Sequence, residues 1–399
     1  MRAFHLLPFA LVAAVAVACG SSGDSSPNGN GSDGGSSSGG SSGGSSGGSS
    51  GGSSGGSSGG SSGSSGGSSG GSSGGSSGGS SGSSSGAGDS GACGTCPSGF
   101  SCTSGGYCAS AKGVPAFDHV YVIVMENESQ TDIQNNGQAP YINGLLGKYA
   151  YTNQYSTTYH PSLPNYLDLT SGATQGVSCD CQPIGTACDA TCAFFTGNCN
   201  CHKGVANLAD QLDGAHVTWR EYGQTMGTPC NGTSAAPYAT KHIPFLYYDD
   251  VYTNTARCQD GVRDYGDFQA DLTAGNRRFG LISPNLCDDM HGDPTCPATP
   301  SSITQGDTWL STEVPKILAT PGFAATGKDV LFIVWDEQTG STGGANVPML
   351  LIAISPLGKK GASSTAYNHE SLLATIEDTF GVTRLGGAAS AAPITDMWK

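Results

Sequence analysis

Basic residues are scarce in this chain: 16 Lys and Arg stand against 31 Asp and Glu, a formal net charge of −15 at pH 7. That surface cannot neutralise a phosphate backbone, which argues against sequence-independent nucleic-acid binding; an anion site would need a local cation, most simply a metal. Apolar residues are almost missing from Ser21 to about Gly91, where the chain is nearly all Gly and Ser. Such a tract cannot bury enough surface to offset its ordering entropy, so residues 20–92 read as a disordered Gly/Ser linker. The apolar run Ala3 to Val17 is too short to span a membrane as a mature helix. The pattern Gly-x-Ser-x-Gly does not surround Ser162, which removes the nucleophile elbow of serine esterases from consideration.

What is present begins with Arg2, the short apolar run and Ala16-Val17-Ala18-Cys19. This resembles a bacterial lipoprotein signal over residues 1–19, in which Cys19 is lipidated and becomes the new amino terminus; the plain alternative is a secretory signal cut near Ala18. Either way the chain is expected to be exported, lipid-anchored at the bacterial cell envelope or secreted. Fifteen cysteines are odd in number, and setting Cys19 aside leaves an even set that can pair in an oxidising compartment. Cys93, Cys96, Cys102 and Cys108 fall in a module, residues 93–110, too small for an apolar core, so two disulfides are expected to hold it. Cys179, Cys181, Cys188, Cys192, Cys199 and Cys201 lack a structural-zinc ligand pattern and read as a disulfide-stapled insertion whose connectivity stays open. Cys230 and Cys258 are expected to pair.

Residues 115–399 have the composition of one globular domain, and their alternating patterns predict an α/β fold with a largely parallel central sheet flanked by helices. Continuous apolar runs at 118–125, 279–283, 330–335 and 349–355 read as strands buried on both faces. Residues 216–221 read as a further strand. Helices are predicted at 139–146, from Ser162 onward, at 205–212, at 308–318 with its start at Gly306-Asp307 and a kink at Pro315, and from His369 onward. Three of the strands run into acidic residues: Glu126, the stretch Asp288 to Asp293, and Asp336-Glu337. In an open parallel sheet those ends share one rim, where ligands gather.

The segment His160-Pro161-Ser162-Leu163-Pro164-Asn165-Tyr166 places a serine at a predicted helix start. Free N–H groups and the positive dipole end would stabilise an anion there, so Ser162 is read as a nucleophile that becomes phosphorylated. The acidic rim, together with His160, His242, His291 and His369, suits a divalent metal cation that would lower the hydroxyl's pKa and offset phosphoryl charge.

His119 to Asn127, His160 to Gly172, Lys241 to Tyr248, Ile282 to Asp293, Leu331 to Glu337 and Tyr367 to Gly381 together resemble the phosphoesterase family of bacterial acid phosphatases and phospholipases C, related to the alkaline-phosphatase superfamily. The Ser-Leu-Pro-Asn-Tyr form is similar to the acid-phosphatase subgroup, which includes phosphoinositide phosphatases. The resemblance implies that Glu126, Asn127, Ser162, Asp336 and Glu337 bind a metal and that Asn165 holds a phosphate oxygen. It implies further that His160, Lys241, His242 and His369 contact substrate, and that His291 stands at the site as a catalytic acid. The expected activity is hydrolysis of phosphate monoesters through a phosphoserine, on a substrate that includes phospholipid or phosphoinositide among its possibilities. A phospholipase C acting on diesters and an inactive surface-binding protein are the alternatives. The cysteine-rich insertion is not part of the family pattern.

Overall fold

The computed structural model describes residues 93–183, 201, 203–340 and 347–399. Cys19 and its lipidation, the linker at 20–92, and Cys188, Cys192 and Cys199 of the insertion lie outside the described residues.

Strands β1 (Phe100–Cys102) and β2 (Cys108–Ser110) form an antiparallel hairpin. Disulfides Cys93–Cys102 and Cys96–Cys108 are the two bridges that so small a segment needs. The hairpin rests against the end of the chain, where the Tyr107 hydroxyl donates to the Lys399 carbonyl at 2.7 Å. Cys230 pairs with Cys258 as expected, and Cys181–Cys201 and Cys287–Cys296 are further bridges.

The central sheet comprises β3 (Val120–Met125), β4 (Ala150–Tyr155), β5 (Trp219–Gly223), β6 (Val262–Asp264), β7 (Phe279–Ser283), β8 (Val330–Trp335), β9 (Met349–Ile354) and β10 (Gly361–Ser363). Their order is β10-β4-β9-β8-β3-β7-β5-β6, and every neighbouring pair is parallel except those made by β9. The runs read as two-sided strands, β3, β7, β8 and β9, are buried throughout, so the α/β architecture follows the sequence pattern. Register then places the chemistry. Met125 lies opposite Trp335, so the next residues, Glu126 and Asp336, leave adjacent strand ends side by side. Two backbone bonds tie this rim together: Asp336 N–H donates to Met125 O at 2.9 Å and Glu126 N–H to Asp289 O at 2.8 Å.

Three local expectations change. The strand expected at 216–221 is Trp219–Gly223, because His216, at a φ of 56°, still belongs to the turn after helix Leu208–Gly214. The helix expected at 205–212 is Leu208–Gly214, capped by Asn207, whose side chain accepts from Asp210 N–H. The helix expected to start at Gly306-Asp307 begins a turn earlier, at Ser302, with Ser301 as its cap and Pro315 inside it. Asp307 serves another helix instead: its carboxylate accepts from Tyr141 N–H at 3.0 Å and Ile142 N–H at 2.8 Å. Those are first-turn donors of helix Pro140–Leu146, whose own cap position, Ala139, makes no side-chain bond.

Asp307→Ala leaves two N–H groups unpaired beside a buried position, so unfolding in denaturant is expected to show a loss of about 2 kcal/mol. An unchanged midpoint would mean that water replaces the carboxylate.

Candidate active site

Helix Ser162–Ser171 has Pro161 as its N-cap, and all ten of its residues are buried. Ser162 and Tyr166 are four apart and therefore share one helix face, which both turn toward Glu126. Ser162 Oγ–H donates to Glu126 Oε2 at 3.0 Å, and the Tyr166 hydroxyl donates to Oε1. His242 Nε2 lies 3.2 Å from the same Oε1. Glu126 is fully buried at the end of β3.

The carboxyl end of β8 supplies the next wall. Asn127 donates its backbone N–H to Asp336 Oδ1 at 3.2 Å, and it does so from the left-handed region, at a φ of 54°, which asparagine tolerates better than most residues. Glu337 Oε2 lies 3.1 Å from His160 Nδ1 and accepts from Asn165 Nδ2 at 3.1 Å. The Asn165 amide is thus engaged with protein: its Oδ1 accepts from Thr157 Oγ1 at 2.6 Å, and its Nδ2 also reaches the carbonyls of Tyr159 and Pro161. His369 stands behind the wall, with Nε2 at 2.6 Å from the Asp336 carbonyl and Nδ1 at 2.8 Å from the Tyr155 hydroxyl. Both its ring nitrogens are used within the protein, so His369 positions Asp336 rather than facing the open side.

The third wall comes from turns after β5 and β7. His242 stacks on Tyr166 at a centroid separation of 5.2 Å, and its Nδ1 lies 3.3 Å from Asp289 Oδ2. Lys241 Nζ lies 2.9 Å from Asp180 Oδ2 and 3.3 Å from Nε2 of the exposed His291. Asp180 also accepts from Leu163 N–H at 3.0 Å. The helix start expected to hold an anion therefore already meets a carboxylate, since Pro164 has no N–H to add.

All the sequence-selected residues of the domain gather here except His369, which lies one layer back. Three participants were not selected. Asp289 was visible only as one of several acidic residues after β7. Tyr166 lay inside the chosen motif, and its i+4 spacing from Ser162 was the available signal. Asp180 carried none, because its contacts are made across the fold by the stapled insertion.

The electrostatics follow from crowding carboxylates in a dry place. Burial alone would raise Glu126, but His242, then Lys241 and His291, outweigh it and hold Glu126 below the ordinary carboxylate value. Asp336 is pushed well up by burial and by the charges of Glu126 and Glu337. Burial also raises Glu337, with His160 opposing, and raises Asp289, with His242 opposing. Burial would lower His242, yet Glu126 and Asp289 lift it to about 9. Two buried atoms at this rim, Asp336 Oδ2 and His160 Nε2, lack a hydrogen-bond partner, and His242 Nε2 and Asp289 Oδ2 have only the ion-pair contacts just described. Ligand atoms of Glu126, His242 and Asp289 lie within 4.8 Å of one another. Orphaned oxygens and imidazole nitrogens around a carboxylate-rich pocket are the donor set a divalent cation takes, so the residues fit one.

A model of the Phosphoesterase family matches residues 132–383, beginning just after Glu126 and Asn127. A phosphatidylinositol-3-phosphatase of Mycobacterium tuberculosis is 29% identical over 292 residues, covering 72% of this chain and 85% of that protein. An acid phosphatase of Aspergillus fumigatus is 26% identical over 306 residues, covering 72% of this chain and 60% of its own length. A probable acid phosphatase of Kluyveromyces lactis is 25% identical, again with 60% of its length spanned. Among solved structures, a protein in the alkaline phosphatase superfamily from Vibrio parahaemolyticus aligns at a TM-score of 0.45 and 11% identity, over 69% of each chain.

Because Glu337, Asp336 and His242 bind protons more tightly when folded than when unfolded, they stabilise the cation-free protein at acid pH. That stability drains away as pH rises through their folded values, from the ordinary carboxylate range toward about 9 for His242. In chelator, Tm is expected to fall by about 5 °C or more between mildly acid and mildly alkaline pH, and an added divalent cation should flatten the slope by replacing the protons. A Tm that rises across this window would contradict the electrostatics described here.

Proposed function

The chain belongs to the Phosphoesterase family and is a phosphoric ester hydrolase, and from that premise we propose that it is a metal-dependent phosphomonoesterase with Ser162 as nucleophile. One observation supports this most directly: Ser162 Oγ–H donates to a fully buried Glu126, on a rim where the neighbouring Asp336 Oδ2 lacks a partner. A divalent cation held by Glu126, Asn127, Asp336, Glu337 and the Ser162 oxygen would lower the pKa of the hydroxyl and offset charge on the phosphoryl oxygens.

The chain's own residues do the rest. Glu126 aims the Ser162 oxygen, which releases its proton to solvent and attacks phosphorus as the bond to the leaving alcohol breaks, giving a phosphoserine. His160 and Lys241 present positive charge or N–H groups to the phosphoryl oxygens, and Asn165 fixes Glu337 from the same helix that carries the nucleophile. His242 balances Glu126 and Asp289 at the back of the site. His291, exposed and beside Lys241, is placed to give the leaving alcohol its proton. Water then attacks the phosphoserine, and phosphate departs as Ser162 recovers its proton.

The mycobacterial relative's name and those of the fungal relatives support a phosphate monoester substrate, with an inositol-lipid headgroup as one member of the class. Lipidation of Cys19 would hold the enzyme at the bacterial cell envelope, and a Gly/Ser linker would let it range over a membrane face.

Ser162→Ala is expected to lower turnover of a simple phosphomonoester by about a thousandfold or more while the protein stays folded, and labelled substrate should leave label on Ser162 in the parent protein. Full activity in the alanine variant would remove Ser162 from the mechanism. Asp180→Asn takes away a carboxylate that engages both Lys241 and the Leu163 N–H, so KM for phosphomonoesters should fall by about threefold to tenfold with kcat little changed. A raised KM would show instead that Asp180 is needed to place Lys241.

A further inference from the structure

Behind the catalytic helix lies a second cavity, of about 120 Å³, lined by Ser156, Thr157, Thr158, Tyr159, Asp168, Asn368 and Glu370. Asp168 belongs to helix Ser162–Ser171, six residues after the nucleophile, and is only 4% exposed. Its Oδ1 is buried and has no hydrogen-bond partner. A buried carboxylate is ordinarily met by a cation or by N–H donors. Here the neighbouring charge is a second carboxylate, Glu370, which sits in the first turn of helix His369–Phe380. No Lys or Arg lines the cavity. Burial, with Glu370 adding to it, pushes Asp168 up to about 7, the response of a carboxyl that lacks its counter-charge.

We propose that Asp168 and Glu370 form a binding site for a hard divalent cation, calcium by its chemistry, separate from the cluster around Glu126. Two carboxylates, flanked by the hydroxyl-bearing residues Ser156, Thr157 and Thr158, are the oxygen donors calcium accepts, and the cavity leaves room for waters to complete the shell. The site joins three segments that place catalytic groups. Asp168 shares a helix with Ser162 and Asn165, the loop from Ser156 to Tyr159 leads directly into His160, and Glu370 follows His369, which holds the Asp336 carbonyl. A cation here locks the back of the active site without touching substrate.

The test is thermal unfolding of the full chain in millimolar CaCl2 against chelator, for Asp336→Asn alone and for Asp336→Asn with Asp168→Asn or Glu370→Gln added. Calcium should raise Tm by about 5 °C in Asp336→Asn, and by less than about 1 °C once Asp168→Asn or Glu370→Gln is added to it. Asp336→Asn disables the catalytic cluster, so the result stands or falls independently of the phosphatase reading. Asp168→Asn is isosteric and Glu370→Gln changes a part-exposed side chain, so at least one folded variant will report. No calcium shift in Asp336→Asn, or a shift there that survives the addition of Asp168→Asn and of Glu370→Gln alike, would each overturn the proposal.

Discussion

The structure turns on one cost, the burial of four carboxylates at the carboxyl rim of an apolar sheet. Glu126, Asp289, Asp336 and Glu337 are all at or below 5% exposure. Isolated charges in such a place are expensive, and like charges side by side are worse. Loose loops could relieve the repulsion by moving apart. They cannot do so here, because β3 and β8 are buried along their whole length and their parallel register fixes where each carboxylate emerges. The close-packed sheet therefore holds the acids together against their own repulsion, and the deficit of positive charge becomes a standing demand on whatever binds there.

The surrounding layer is built to keep that arrangement from relaxing. Burial holds His369 down to about 4, so the ring is neutral near pH 7 and only one of its nitrogens carries a proton. The Asp336 carbonyl can only accept, which places that proton on Nε2 and obliges Nδ1 to accept from the Tyr155 hydroxyl. The chain Tyr155–His369–Asp336 is thus directional and has no alternative tautomer that keeps both bonds. Thr157, Asn165 and Glu337 form a second chain of neutral donors, this one ending on a rim carboxylate. In both, the orienting groups are neutral, so orientation is set without adding charge to a site that already has too much of one sign.

This division explains what was legible in the sequence. Strands β7 and β8 fall on the residues that read as strands, because fully buried parallel strands are continuous apolar runs, and the acids that interrupt them mark the rim directly. The Ser162 helix was legible from the two prolines and the serine between them. Residues whose role depends on distant partners were not. His242 was read as a substrate contact, yet it sits between Glu126 and Asp289, which are far from it in sequence. Asp307 looked like the cap of its own helix and caps a different one, since capping needs only a carboxylate near free N–H groups, whichever chain segment supplies it. Strand β4 was hidden because Ala150–Tyr155 alternates buried and part-exposed residues with polar types among them.

The same reasoning separates chemistry from substrate choice. An enzyme with a net charge of −15 repels an anionic ester at long range, so attraction must come from the pocket mouth. Lys241 supplies positive charge there, held above its ordinary value because Asp180 and Glu126 outweigh its burial, and the imidazoles of His160 and His291 stand beside it. Asp180 takes up part of that charge and the Leu163 N–H at the start of helix Ser162–Ser171. It lies between Cys179 and Cys181, and Cys181 is stapled to Cys201, so its position is set by the insertion rather than by the sheet. The acidic rim is therefore fixed by strands that cannot shift without unfolding the core. The charge beside Lys241 is set instead by one carboxylate on a disulfide-bound loop, which can change in sequence without disturbing that rim.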